Sequence, residues 1–356
     1  MGSESIFRSR SRGLPRKIDS DPIFRAPYRA PWWLPGGHTQ TAYAALAAPR
    51  PRVAYRRERW DTPDGDFIDL DWVQDQDRGS RIQDRGQTPL VVLFHGLEGS
   101  SQSHYALALM AEVARRGWRG VVVHFRGCAG EPNRLPRAYH SGDSTEIDWV
   151  LRRLRTEHPL LYAVGVSLGG NALLKWLGEA GASAREVVDR AAAISAPVDL
   201  MAAGNALDRG FNLLYVRHFL SSMKGKSLAK LARYPGLYEA ARVRAARTLR
   251  AFDDLVTAPL HGFRNTDDYW TRASAKPWLA GIEVPVLMLN ARNDPYLPAR
   301  FLPAPHEVAP SVVLEKPSSG GHVGFVSGRF PGDLGWLPAR VLEFFSRESS
   351  SSRRHP

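Results

Sequence analysis

Thiols are almost absent from this chain: its 356 residues hold one cysteine, Cys128. That excludes an internal disulfide framework and any cysteine-based metal cluster. No apolar run approaches the roughly 18 residues of a membrane-spanning helix, and the amino terminus has no apolar stretch of the signal-peptide kind. Met1-Gly2 opens like an acylation signal, but Ile6 stands where Ser or Thr is needed, so the motif fails. Lysine is scarce, 7 against 41 arginines, a bias that coding composition produces without any phosphate ligand. No DNA- or RNA-binding motif accompanies the net charge of +12, and no nucleic-acid partner is expected.

What is present is the composition of a globular chain, 43% hydrophobic and 24% charged, which rules out wholesale disorder. The charge is localised: residues 1–30 carry +4, residues 200–260 carry +6, and residues 347–356 carry +2, so the rest is nearly neutral. Residues 1–30 read as a flexible basic leader and 347–356 as a disordered tail, flanking one unit over 31–346. The bland reading of the charge is a solvated surface; the sharper one is peripheral contact with an anionic membrane.

Two strand-like runs, Val53–Trp60 and Asp66–Val73, flank Thr62-Pro63-Asp64-Gly65, which is turn chemistry and predicts an antiparallel hairpin. Six short apolar runs follow, beginning at Pro89, Gly120, Leu161, Ala191, Val286 and Val312. Mostly helical patterns separate them, as at Ser144–Arg155 and Leu337–Phe345. The expected fold is therefore α/β: a mostly parallel eight-stranded sheet with an antiparallel N-terminal hairpin and helices on both faces. The long strand-free segment after Ser195 predicts a helical cap insertion at about 200–260. Leu213, Leu214, Phe219 and Met223 are its candidate pocket residues, and its cations are expected to face solvent.

Gly165-Val166-Ser167-Leu168-Gly169 has the spacing G-x-S-x-G between an apolar run and a helical pattern. A serine perched on a tight strand-to-helix turn needs strained backbone and close neighbours, which explains a glycine on either side. Serine is a poor nucleophile without a base. His322, in Gly320-Gly321-His322-Val323-Gly324, follows the last apolar run; Asp294, in Asn293-Asp294-Pro295, follows the one before. Ser167, Asp294 and His322 thus form a candidate nucleophile, orienting acid and base. Leu97 and Leu168 are the candidate oxyanion donors through their N–H groups. His95 is a candidate second base and pocket residue, with loop-shaping as its plainer role; His140 is a candidate pocket residue, with a hydrogen-bonded loop histidine as the alternative. A carboxylate nucleophile, as epoxide hydrolases and dehalogenases use, is excluded by Ser167.

Further stretches carry a resemblance. Gly37-His38-Thr39-Gln40-Thr41, the run Thr62 to Trp72, His95-Gly96-Leu97-Glu98-Gly99-Ser100, Phe125-Arg126-Gly127-Cys128, Tyr139-His140-Ser141-Gly142 and Asp268-Tyr269-Trp270 resemble the YheT-like branch of the α/β-hydrolase superfamily. The resemblance runs from about Trp32 to about Phe345. Relatives often show two acids before the proline; here the first is Asn293, which leaves Asp294 as the local acid. The resemblance implies a serine esterase or lipase-like enzyme on small-molecule acyl esters, short to medium in chain or lipid-derived, without metal or organic cofactor. Bacterial members are expected in the cytoplasm, and the amino-terminal membrane helix of the eukaryotic members is missing. Thioesterase, peptidase and acyltransferase chemistry share the same three residues. A non-catalytic binding protein on this fold is the reading from another class.

Overall fold

The computed structural model describes residues 27–74 and 88–347. Most of the expected leader, residues 1–26, and the tail from 348 onward lie outside the described residues.

Eight strands form one sheet: β1 (Tyr55–Asp61), β2 (Phe67–Val73), β3 (Leu90–Phe94), β4 (Arg119–His124), β5 (Leu161–Val166), β6 (Arg190–Ile194), β7 (Val286–Leu289) and β8 (Val312–Glu315). Their order is β1-β2-β4-β3-β5-β6-β7-β8. β1 and β2 run antiparallel, β2 meets β4 antiparallel, and all other pairs are parallel. The mixed sheet with its hairpin at one edge is the architecture the apolar runs predict.

Burial follows from position. β3 and β5, in the middle, are buried throughout, as strands covered on both faces must be. The pleat divides their side chains: Leu90, Val92 and Phe94 join one apolar layer, Val91 and Leu93 the other. Helices α3 (Ser144–Arg155) and α4 (Leu168–Ala180) cover the first; α2 (His104–Arg115) and α11 (Trp336–Phe345) cover the second. The edge strand β1 is charged instead, with Arg57 and Arg59 each paired to an aspartate on β2, Asp71 and Asp69, at 2.8 Å. Charge of this kind discourages edge-to-edge association.

Two elements depart from expectation. Gly37–Leu46 is a helix, α1, although its sequence has no apolar stripe to announce one. The strand-free insertion is helical over a longer span than 200–260: α5 (Leu200–Leu207), α6 (Leu213–Arg233), α7 (Ala240–Ala245), α8 (Leu249–Phe252), a π turn over Asp253–Thr257, α9 (Ala258–Leu260) and α10 (Thr266–Ala273). It builds its own apolar core around Leu207, Val216, Leu220, Phe252 and Trp270. No helix among the described residues is long and apolar enough to cross a membrane.

Candidate active site

β5 ends at the centre of the sheet and turns abruptly into α4. Ser167 sits on the turn with φ 52° and ψ −120°, a conformation that costs an L-residue on the order of 1–3 kcal/mol. The neighbours enforce it. A Cβ on Gly165 would lie 2.5 Å from the Gly169 carbonyl oxygen, and one on Gly169 would lie 2.4 Å from that of Phe94. The Ser167 N–H donates to the Ile194 carbonyl at 2.8 Å, which fixes the turn to β6. Its hydroxyl therefore stands at the amino end of α4, where the helix dipole favours negative charge.

His322 and Asp294 arrive on the loops after β8 and β7. His322 Nε2 lies 2.9 Å from Ser167 Oγ, and its Nδ1 lies 2.8 Å from Asp294 Oδ2. Asp294 is buried, and its other oxygen accepts the Tyr296 N–H at 2.7 Å. A buried carboxylate requires the proton on Nδ1, which leaves Nε2 free to accept from the serine hydroxyl. The Tyr296 ring stacks on His322, with centroids 4.0 Å apart.

The support beneath the histidine loop is what sequence reasoning missed. Thr41 Oγ1, on α1, accepts the His322 N–H at 2.8 Å. Gln40, 1% exposed, accepts from Gly320 N–H at 2.8 Å and from Asn293 Nδ2 at 3.0 Å. Asn293 Oδ1 accepts the Gly321 N–H at 3.0 Å. An amide at position 293 both donates and accepts here, which an ionised aspartate could not do. The Gly37–Thr41 stretch was visible in the sequence only as part of the family resemblance, and nothing local marked Gln40 and Thr41 for a supporting role.

Opposite the serine, the loop after β3 is held at both ends. The Gly96 N–H donates to the Tyr105 hydroxyl and the Glu98 N–H to the Tyr139 hydroxyl, both at 2.9 Å. Leu97 lies between them, and its N–H has no hydrogen bond among the described residues. Leu168, as the first residue of α4, likewise has no intrahelical acceptor for its N–H. Both residues line the same cavity as Ser167 and His322.

That cavity measures about 890 Å³ and is walled mainly by apolar side chains of the sheet loops and the cap. Phe219, Leu214, Met223 and His140 line it, as expected. Leu213 does not. It starts α6 at 40% exposure, while the next two residues, Leu214, itself 56% exposed, and Tyr215, line the cavity. His95 does not line it either. It is fully buried beneath the loop, with Nδ1 2.8 Å from the Gly96 carbonyl and Nε2 accepting the Phe125 N–H at 3.1 Å. Burial first, then the neighbouring His124, lowers its pKa to about 3, so it is a neutral scaffold for the loop. His140 is likewise pushed down to about 3, chiefly by burial, and presents a neutral ring. The cap's cations do not all point away from the cavity: Lys226, itself exposed, and the half-buried Lys230 line it. Among the described residues no three His, Cys, Asp or Glu side chains converge as a metal site requires.

The sequence profile described as alpha/beta hydrolase fold matches residues 89–328. The chain belongs to this family, in its YheT-like branch. It is 39% identical to YheT of Escherichia coli (strain K12), which is named as an esterase, over 87% of this chain and 90% of the relative. It is 32% identical to the human phospholipase ABHD3 over 88% of this chain and 77% of the relative. Among solved structures, the esterase Pf2001 of Pyrococcus furiosus superposes with a TM-score of 0.51 at 17% identity, covering 82% of this chain and 91% of that one, a likeness of fold.

Proposed function

We propose that the protein is a serine hydrolase of carboxylic esters, with Ser167 as nucleophile, His322 as general base and acid, and Asp294 as the orienting acid. The observation that carries the reading is the relay from Asp294 through His322 to Ser167, at 2.8 and 2.9 Å, opening onto a largely apolar cavity. Ser167 Oγ attacks the acyl carbonyl as its proton passes to His322 Nε2. The carbonyl oxygen becomes an oxyanion and takes hydrogen bonds from the Leu97 and Leu168 N–H groups. His322 then returns the proton to the departing alcohol, and water repeats the sequence on the acyl-enzyme. The relatives' names, esterase and phospholipase, support the ester class. The cavity suits a short- to medium-chain or lipid-derived acyl group, and exposed Leu46, Phe211 and Leu214 on its wall give an apolar chain a route in.

The test is labelling by a small fluorophosphonate, located by peptide mass spectrometry, together with turnover of p-nitrophenyl esters of graded chain length. Modification at Ser167 with turnover is expected. A folded protein that neither labels nor turns over would overturn the reading.

A further inference from the structure

Helix α6 turns one stripe of side chains into the cavity: Tyr215, Phe219, Met223, Lys226 and Lys230. The first three continue the apolar wall. The last two, one helical turn apart, bring ammonium groups to that end of the cavity.

The cations there differ in what holds them. Lys226 Nζ lies 2.8 Å from the Glu98 carboxylate, so its charge is matched. Arg126, also on the wall, is matched by Glu146, Asp64 and Asp66 at 2.5–3.0 Å. Lys230 Nζ instead donates to Asn133 Oδ1 at 2.8 Å and to the Arg137 carbonyl at 2.7 Å, both neutral oxygens. No carboxylate lies within ion-pair distance of it among the described residues. Asp66 stands behind Asn133 and is engaged by the Asn133 amide and by Arg126. Asn133 is itself fixed by donating to Asp66 at 2.5 Å and to the Arg137 carbonyl at 2.7 Å, so the scaffold aiming Lys230 is rigid. Two of the three ammonium protons are accounted for; the third remains for a ligand.

A half-buried ammonium without a counter-ion is costly. Burial, helped by Arg126, Arg233 and Lys226 and opposed by Asp66, lowers the Lys230 pKa to about 8. A bound anion would relieve that cost. Glu98 adjoins Leu97, so Lys226 marks the position beside the oxyanion loop, and Lys230 lies about 6 Å further along α6. The Glu98–Lys226 pair offers no net attraction to an anion beside the carbonyl, whereas Lys230 attracts one placed several bonds away.

We propose that Lys230 anchors an anionic group of the substrate: the ester taken by this cavity carries a carboxylate or phosphate several bonds from the carbonyl presented to Ser167. The inference rests on the hydrolase reading above, and it is tested by binding, not turnover. Calorimetry on the Ser167→Ala protein compares two matched pairs. Monomethyl against dimethyl suberate places a carboxylate in the acyl part; 1-octanoylglycerol 3-phosphate against 1-octanoylglycerol places a phosphate on the alcohol. In at least one pair the anionic member is expected to bind about tenfold tighter or more, and the pair concerned tells which side carries the charge. Adding Lys230→Gln or Lys230→Met removes the advantage, and Lys230→Arg retains it. Lys224→Met, which removes a cation of the same helix held outside the cavity by the Arg244 carbonyl, keeps it. Equal binding within both pairs, an advantage that survives both charge-removing changes in folded protein, or its equal loss in Lys224→Met would overturn the proposal. Turnover of neutral esters by the unmodified protein is read separately and bears on the hydrolase reading alone.

Discussion

The turn at Ser167 and the inner face of α6 bound the same cavity, but they are specified by different physics. At the turn, backbone specifies: the glycines on either side of Ser167 sit where a methyl group would overlap a carbonyl oxygen, and the strained serine has no other place to go. On α6, side chains specify. Glu98, from the loop after β3, is bonded to Lys226 and Ser222 of the cap and to Tyr139, so the cap helix is fastened to the loop that carries Leu97. Chemistry placed by backbone tolerates almost no substitution at its glycines, whereas a cavity wall placed by side chains can change its ligand while the helix stays put. On the proposed function, the reaction class belongs to the first region and the choice of substrate to the second.

The largest effects that would break this division come from the turn and its partners. Ser167→Ala and His322→Ala are each expected to lower kcat for p-nitrophenyl esters by roughly 10⁴-fold or more, since the three residues act as a unit; Asp294→Asn costs less. Unfolding curves of the Ser167→Ala protein should match those of the parent, because the hydroxyl is the only group removed. Near-parental kcat in any folded Ser167 variant would place the chemistry elsewhere.

Acid separates the regions less sharply but more globally. His95 and His140 are held near pKa 3 and His104 and His158 near 4, in each case mainly by burial, below the 6.5 of an unfolded histidine. Below pH 6.5 the unfolded chain gains protons that these four rings refuse, so the stability they contribute above that pH is lost as pH falls toward 3–4. Two buried acids oppose them: Glu146 and Asp253, raised to about 7, stay protonated in the fold and release their protons on unfolding. Four rings against two acids leave a net loss on acidification. The urea midpoint is expected to drop between pH 7 and pH 5; a constant or rising midpoint would show that the rings are not held neutral.

The same contrast explains what could be read from sequence. The buried strands were legible because a parallel sheet covered on both faces needs continuous apolar runs; Val286–Leu289 is one, end to end. The turn was legible because its glycines and serine are adjacent in the chain. Helix α1 was not: its buried Gln40 and Thr41 serve a loop some 280 residues away, and no local periodicity records that service. Leu213 was grouped with Leu214 as a pocket residue because nothing in the sequence fixes which face of α6 turns inward, and consecutive residues lie about 100° apart round a helix. That Lys226 and Lys230 line the cavity was not legible because the residues that hold them, Glu98 and Asn133, are 128 and 97 residues away.

The smallest effects sharpen the comparison through one kind of substitution made in both regions. Gly169→Ala, in the first turn of α4, forces a Cβ to within 2.4 Å of the Phe94 carbonyl oxygen and 2.6 Å of that of His95. Both are backbone atoms, at the end of β3 and the start of the loop bearing Leu97, and cannot rotate away. It should destabilise by about 1–3 kcal/mol, despite alanine's helix preference, and should lower kcat by displacing that loop. Gly225, in the middle of α6, has open space within 4 Å of its would-be Cβ. It lies on the exposed side of a helix whose inner stripe passes through Met223 and Lys226. There the same change removes only backbone freedom from the unfolded chain, and Gly225→Ala should stabilise by about 0.5–1 kcal/mol. Because the inner stripe is untouched, kcat/KM across ester chain lengths should stay as in the parent. Unfolding curves and chain-length profiles of the two variants, measured side by side, check both halves. Destabilisation by Gly225→Ala, or an altered chain-length profile in it, would mean that α6 depends on a backbone bend at this glycine, and that the wall of the cavity, like the turn, is placed by backbone after all.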